Sequence, residues 1–336
     1  MSFALALSTI LTSITSVLAS PNFEGKTIRM IVGSPVGGGY DLYGRFFGRH
    51  VARFLPGASA VSLQNMPGGA GVAFANWLYT SAPRDGTVFG LAPSTLSTAP
   101  LFDPKGPIYD AQKLTWIGSL NAEVAVAVSW RTSGVIGIKD LRERELIVGS
   151  VGATDATTVH PIILNNVLGT KFKIISGYPG TAGVTLALER GEIEGIGSWN
   201  YSSLKSTRPQ WLTDKSVNIL LQLGLTRSPD LPDVQGVLDL AGDDEAKSIL
   251  KLVFGPLEMG RPVLAPPGVD DATTTALRKA LISLIKDPQA LSDAGKLSID
   301  LSQPMDGDAV QSLVRDFYSY DPQLIAKVSR MMKAGQ

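Results

Sequence analysis

Short aliphatic runs alternate along the chain with longer segments in which apolar residues recur every three or four positions, as expected of strands followed by amphipathic helices. Lys26 to Val32 reads as the first strand. A helix is predicted from about Asp41 to Leu55, with Leu42, Phe46, Phe47, His50, Val51 and Phe54 on one face and Arg45, Arg49 and Arg53 on the other. The arginine stripe reads as a solvated face or as a surface for a membrane partner. Pro56 and Gly57 stop this helix, and Val61 to Gln64 starts the next strand. A loop from Asn65 to Gly71 leads into a helix over Val72 to Ser81, Pro83 to Thr87 makes a turn, and Val88 to Ala92 reads as a third strand. This βαβαβ succession calls for a parallel sheet with crossover helices.

From Val124 the order begins again. Val124 to Val128 and Leu146 to Ser150 read as strands, and Ser150 feeds a loop from Val151 to Thr157 and a helix to Leu168. Phe172 to Ser176 is a strand, Gly177 to Thr181 opens a helix to Arg190, and Ile193 to Gly197 reads as the next strand. Two similar lobes are the economical inference. Arg261 to Val269 is an extended, proline-stiffened return toward the first lobe. Asp270 or Asp271 caps a helix over Ala272 to Lys286, and Asp308 opens a final helix through Phe317. The lobes are assigned as residues 22–122 plus 263–336 and residues 123–262, joined by two crossing segments that make a hinge.

Composition narrows the function classes. A chain of 336 residues is long enough for two globular cores. Charged residues are only 18% and the formal net charge is zero, so there is no electrostatic case for nucleic acid and the partner is expected to be small or proteinaceous. The lack of cysteine excludes disulfides, thiolate catalysis and zinc–thiolate sites. Phe3 to Leu18 is uncharged, apolar and hydroxyl-rich and ends in Val17, Leu18 and Ala19, which reads as an export signal over residues 1–19 cleaved after Ala19, with a periplasmic destination. A buried N-terminal helix is the other reading.

The stretch from Ile31 to Asp41 joins a strand to a helix through backbone poor in side chains. Gly37, Gly38 and Gly39 let several N–H groups converge, and the helix that follows adds its partly positive end, so an anion finds donors without any cationic side chain. A second loop of this design, Gly152 to Asp155, lies near residue 150, and Ser94 and Thr95 follow a strand end where ligands of such sheets gather. Nucleotide motifs fail: there is no G-x-x-x-x-G-K-[ST], and Leu42 stands where G-x-G-x-x-G needs a small residue. His50 falls on an apolar helix face, and His160 precedes Pro161 with no G-x-S-x-G serine to activate, which leaves hydrolysis through His160 the weaker alternative. No His, Asp and Glu cluster has metal-ligand spacing.

Binding without chemistry, metal or cofactor remains, with two facing loops closing over one acid. Charge-assisted hydrogen bonds contribute about 1.5–3 kcal/mol each, and a helix N-terminus up to ~2 kcal/mol. Four such donors suffice for micromolar affinity, about −8 kcal/mol after ordering costs, and no buried arginine is required. Asp41 reads either as a cap bracing its loop or as a ligand contact. Asp155 reads as a cap or as an acceptor for a ligand ammonium or hydroxyl, and Trp199, Asn200 and Tyr201 as the far wall of the cleft or as core.

Several local sequences carry a family resemblance: Pro35 to Asp41 with Arg45, Gln64 to Gly71, Ala82 to Thr87, Gly177 to Thr181, Arg190 to Gly195 and Ala265 to Val269. Taken together they resemble the receptors of tripartite tricarboxylate transporters, the Bug-type extracytoplasmic solute-binding proteins, over nearly the whole mature chain. The resemblance implies an α/β, two-lobed periplasmic binding protein type II fold with hinged lobes. A carboxylated metabolite would sit in the interlobe cleft, gripped by Val36, Gly37, Gly38, Gly39, Tyr40 and Asp41 and by Gly152, Ala153, Thr154 and Asp155. By the same analogy Asn65, Ser94, Thr95, Gly180, Thr181 and Trp199 lie around the pocket. Such receptors deliver a small organic acid to membrane permease subunits; a sensor subunit presenting its ligand to a signalling protein is the alternative. The protein is expected to be a monomer and not an enzyme. One departure is Asp155, where many relatives carry a neutral Ser or Thr, and it favours a mono-acid or aromatic acid over a simple dicarboxylate.

Overall fold

A computed structural model describes residues 23–103 and 105–335; the expected export segment lies outside them. The first part of the chain runs β1 (Thr27–Val32), α1 (Gly39–Val51), β2 (Ala60–Asn65), α2 (Val72–Thr80), β3 (Val88–Leu91), a short α3 (Ala99–Phe102) and β4 (Thr115–Ser119). The second runs β5 (Ala125–Trp130), α4 (Ile138–Glu143), β6 (Leu146–Ser150), α5 (Ala156–Leu168), β7 (Phe172–Ser176) and α6 (Gly180–Glu189). It continues with β8 (Gly195–Asn200), α7 (Tyr201–Thr207), α8 (Pro209–Thr213), β9 (Val217–Leu223) and α9 (Asp244–Phe254). The return consists of β10 (Pro262–Ala265), α10 (Asp271–Leu284), α11 (Pro288–Lys296), β11 (Met305–Asp306), α12 (Gly307–Tyr318) and α13 (Pro322–Ala334).

Two mixed sheets result, ordered β11-β4-β10-β3-β1-β2 and β7-β6-β8-β5-β9. Ile28, Met30, Ile31 and Val32 are all buried because β1 is covered on both faces, the reason its sequence is a nearly continuous aliphatic run. The parallel register sets Val32 beside both Asn65 of β2 and Leu91 of β3, so the loops that follow these three strands leave from one edge of the sheet. In the second sheet β6 and β7 end together at Ser150 and Ser176. Helices that follow parallel strands start at this edge, which aims their N-termini across the gap between the sheets.

The parallel sheet expected from the βαβαβ pattern exists in β1, β2 and β3, but β10 enters antiparallel between β3 and β4, and β5 runs antiparallel to both β8 and β9. Two further differences concern the tail. Asp306, not Asp308, caps α12, accepting from the Ala309 N–H at 2.8 Å, because β11 pairs with β4 and holds Asp306 at the helix start; Asp308 instead meets Arg278 at 2.5 Å. After α12 the chain forms one more helix. Val328 and Met332 of α13 join a core with Ile163, Leu164 and Val253, all from the second lobe. Helix α13 also packs on α3, so it bridges elements from both of the segments assigned to the two lobes.

Candidate functional site

A cavity of about 240 Å3 lies where the two sheets' loops face each other. From the first lobe it is lined by residues within 33–40, by Gly68 to Gly71 and by Pro93 to Thr95; from the second, by residues within 151–157, His160, Tyr178 to Thr181, Ser198 to Asn200 and Ser203. Pro256 and Leu257, from a crossing segment, close one side. Among the described residues no lysine or arginine lines it, and Asp155 is its one carboxylate.

Helix capping distinguishes this cavity from the rest of the molecule. Among the described long helices, α5, α9, α10, α11, α12 and α13 each open on an aspartate, Asp155, Asp243, Asp270, Asp287, Asp306 and Asp321, whose carboxylate accepts a backbone N–H. Helices α1 and α6 open on Gly38 and Pro179 with no side-chain cap. Both of these starts line the cavity. The remaining long helix, α2, follows a tight turn at Gly69–Gly71, and the Ala73 N–H is taken by the Gly68 carbonyl. Two helix ends without a side-chain cap, each with a partial positive charge, therefore face one small enclosure, although the Tyr178 carbonyl takes the Gly180 N–H at 2.9 Å.

The loop before α1 is held from behind. Asp41 is 4% exposed, and its carboxylate accepts from the Gly37 N–H at 3.0 Å, Arg45 Nε at 2.9 Å and Asn65 Nδ2 at 2.8 Å. Asn65 also donates to the Ser34 carbonyl at 2.9 Å, so it ties both ends of the loop to β2. Burial alone would raise the Asp41 carboxyl, but the bonds from Arg45, Gly37 and Asn65 outweigh it and hold it below the usual carboxylate value. Gly37 has φ +88°, a conformation that a side chain would disfavour, which is why the turn needs glycine there.

The lobes touch around the cavity. At Gly180, φ +79°, an added Cβ would stand 3.0 Å from Pro35 Cγ, so the start of α6 rests directly on the loop before α1. On the other side Thr154 Oγ1 donates to the Gly69 carbonyl at 3.2 Å. Behind the wall lies Arg261, fully buried, which donates to Ser202 Oγ at 2.8 Å and Ser203 Oγ at 2.7 Å and pairs with Glu123 at 3.3 Å. Its guanidinium sits 4.4 Å from the ring centres of both Tyr40 and Tyr43. The side-chain amide of Asn200, with its oxygen turned toward the guanidinium, accepts from it at 3.2 Å. Glu123 and Arg261 stand on two different crossing segments. Their pair fixes the wall residues Tyr40, Asn200 and Ser203 without placing a charge in the cavity.

A carboxyl and an imidazole do face the cavity. Asp155 accepts from both the N–H and the hydroxyl of Thr157, at 2.9 and 2.6 Å, yet burial pushes its carboxyl above the ordinary value. His160 lies inside α5, with Nδ1 2.7 Å from Ser198 Oγ and its ring edge against Phe254. Burial lowers its pKa to about 3, so the ring is neutral at physiological pH and a weak base. The sequence offered His160 no serine; strand pairing supplies Ser198, although no carboxylate orients the ring from its other side. His50 is buried elsewhere, on α1 against Phe46 and beside Asp293 at 3.4 Å.

Of the residues expected around a ligand, Val36, Gly38, Gly39, Tyr40, Ser94, Thr95, Gly152, Asp155, Gly180, Thr181 and Trp199 line the cavity. Gly37, Asp41 and Asn65 do not, because their polar groups are spent on one another. Ala153 and Thr154 line a smaller adjoining cavity. Tyr201 turns away to the opposite face, beside Lys205. Sequence reasoning missed Ser198, Ser203 and, within the Arg261 cluster, Arg261 itself with Glu123, Tyr43 and Ser202. The signal for the cluster was present in Arg261 itself, a lone cation in the otherwise nearly uncharged run from Gly255 to Ala265.

No protein-family model and no curated protein matches the sequence. Solved structures do match. The malate-bound MatC protein of Rhodopseudomonas palustris superposes with a TM-score of 0.69 at 16% identity, covering 91% of this chain and 98% of that one. The periplasmic binding protein BugD gives 0.69 at 20% identity, covering 92% and 97%. A further R. palustris protein, solved with adipate, gives 0.69 at 16%, covering 93% and 98%. The chain thus has the two-lobed periplasmic binding protein fold that its sequence motifs implied.

Proposed function

We propose that this protein is an extracytoplasmic solute-binding receptor of the tripartite tricarboxylate transporter type, which captures a small carboxylate between its lobes and hands it to a membrane permease. One observation carries the reading: the described long helices without a side-chain cap, α1, α2 and α6, all start at the interlobe cavity, and α1 and α6 do so without the tight turn that precedes α2. A carboxylate bound there supplies the acceptors that aspartate supplies at the other helix ends. A cavity free of lysine and arginine would otherwise be a poor anion site, so the backbone must provide the attraction. The fold neighbours solved with malate and adipate are consistent with this ligand class.

Release into the periplasm, a monomeric state and the absence of catalysis belong to the same proposal. Among the described residues His160 beside Ser198 is the arrangement with a catalytic appearance, and a neutral ring of such low basicity does not suit it to proton abstraction. The test is thermal unfolding with matched pairs of acids and their amides. A ligand at one hundred times its Kd stabilises by about 2.7 kcal/mol, so the acid of a binding pair raises Tm and the amide leaves it unchanged. Equal stabilisation by both members overturns the proposal.

A further inference from the structure

Next to the main cavity is a second of about 180 Å3, and Thr95 and His160 line both. Its apolar walls come from Ala99 and Phe102 of α3, Ala153, Val159 of α5, Val253 of α9 and Met332 of α13, and Thr98 and Thr154 add two hydroxyls. These contributions come from both lobes. Asp103 and Lys333 also border it, one of each sign, so the pair brings no net charge. Neutral His160 completes an uncharged partition between the two spaces.

We infer that the second cavity is a subsite for the uncharged tail of the bound acid, and that the ligand is a monocarboxylate whose chain or ring extends past Thr95 and His160 onto α13. This rests on the receptor reading above and deepens it. Size supports it in two ways. Small-molecule sites usually exceed ~300 Å3, a size that neither space reaches alone and that the two reach together. An apolar cavity of about 150 Å3 is enough to take up benzene, so the second space accommodates a ring or a six-carbon segment. Charge supports it too: a second carboxylate would meet Asp103 as readily as Lys333, whereas a hydrocarbon tail is indifferent to both. Helix α13 gains a purpose, since it packs on both α3 and α5 and thereby brings Met332 to the subsite between them.

Calorimetric titration of the full chain with acetate, butyrate, hexanoate, octanoate and adipate tests this. The wild type is expected to bind hexanoate and octanoate at least tenfold more tightly than butyrate, and adipate more weakly than hexanoate. Ala99→Leu narrows the subsite and should weaken octanoate at least tenfold while leaving butyrate unchanged. Met332→Ala enlarges it and should shift the preference toward the longer acid, which gives an answer even if Ala99→Leu does not fold. Affinities that level off at butyrate, adipate binding more tightly than hexanoate, or variants that alter all acids equally would overturn the subsite while leaving the receptor reading intact. Failure of every acid to bind would remove the receptor reading, and the subsite with it.

Discussion

Replacing Asp41 by alanine removes the acceptor on which the anion-facing loop depends. The Gly37 N–H loses its partner in a part-buried position, a charge-assisted bond of about 1.5–3 kcal/mol. Asn65 keeps its bond to Ser34, so its loss is smaller. Arg45 is 47% exposed along its side chain, and its ion pair adds at most ~1 kcal/mol after solvent screening. Relief of a buried carboxylate offsets part of this, and the net expectation is a loss of about 2–4 kcal/mol. The sign of the pH dependence follows from the lowered carboxyl. The native state binds this proton less readily than the unfolded chain, so the contribution is complete above the ordinary aspartate value of 3.8 and fades as pH falls below it. Urea unfolding of the wild type and Asp41→Ala at pH 7 and pH 3 reads both effects. The gap should be several kcal/mol at pH 7 and clearly narrower at pH 3. A gap under ~0.5 kcal/mol at pH 7, or one that widens in acid, refutes the latch.

Three other outcomes follow from the geometry. Gly180→Ala forces a left-handed residue against Pro35; about 1–2 kcal/mol of backbone strain plus the clash should lower Tm and weaken acid binding, and an unchanged affinity would show that these loops need not touch. Arg261→Met strands Glu123 in the interior and should cost about 3–5 kcal/mol, most of it recovered by adding Glu123→Leu; strictly additive urea results would contradict the pairing. Because His160 is harder to protonate folded than unfolded, stability should decline as pH falls from 6.5 toward about 3, by up to ~1.4 kcal/mol per pH unit, and His160→Gln should flatten that slope.

The β1 loop and α1 were legible because the apolar period changes from the nearly continuous run ending at Val32 to the helical spacing of Leu42, Phe46, Phe47 and Val51, with a glycine-rich loop between. The same change marks Ser150 and α5. What the sequence could not express is which strand lies beside which: Ser198 meets His160 because β8 pairs parallel with β6 and α5 packs across it, and Asn200 meets Arg261 through the return of the chain before β10. Helix α13 is a different case. Leu324, Ile325, Val328, Met331 and Met332 keep helical spacing, so the helix could have been read, but nothing local says that its apolar face covers both α3 and α5. Ala153 and Thr154 share a loop with Gly152 and Asp155, yet the turn sends the middle pair to one cavity and the flanking pair to the other, a distinction of backbone direction that composition does not carry.

The account turns on backbone amides at the starts of α1 and α6 holding one carboxylate, and amide NMR of the labelled protein reads those groups directly. Titration with the acid that gives the largest thermal shift should move the Gly39, Tyr40 and Thr181 amide protons downfield together, leaving the aspartate-capped Ala246 amide in place. Saturable binding with those three resonances unmoved would contradict it.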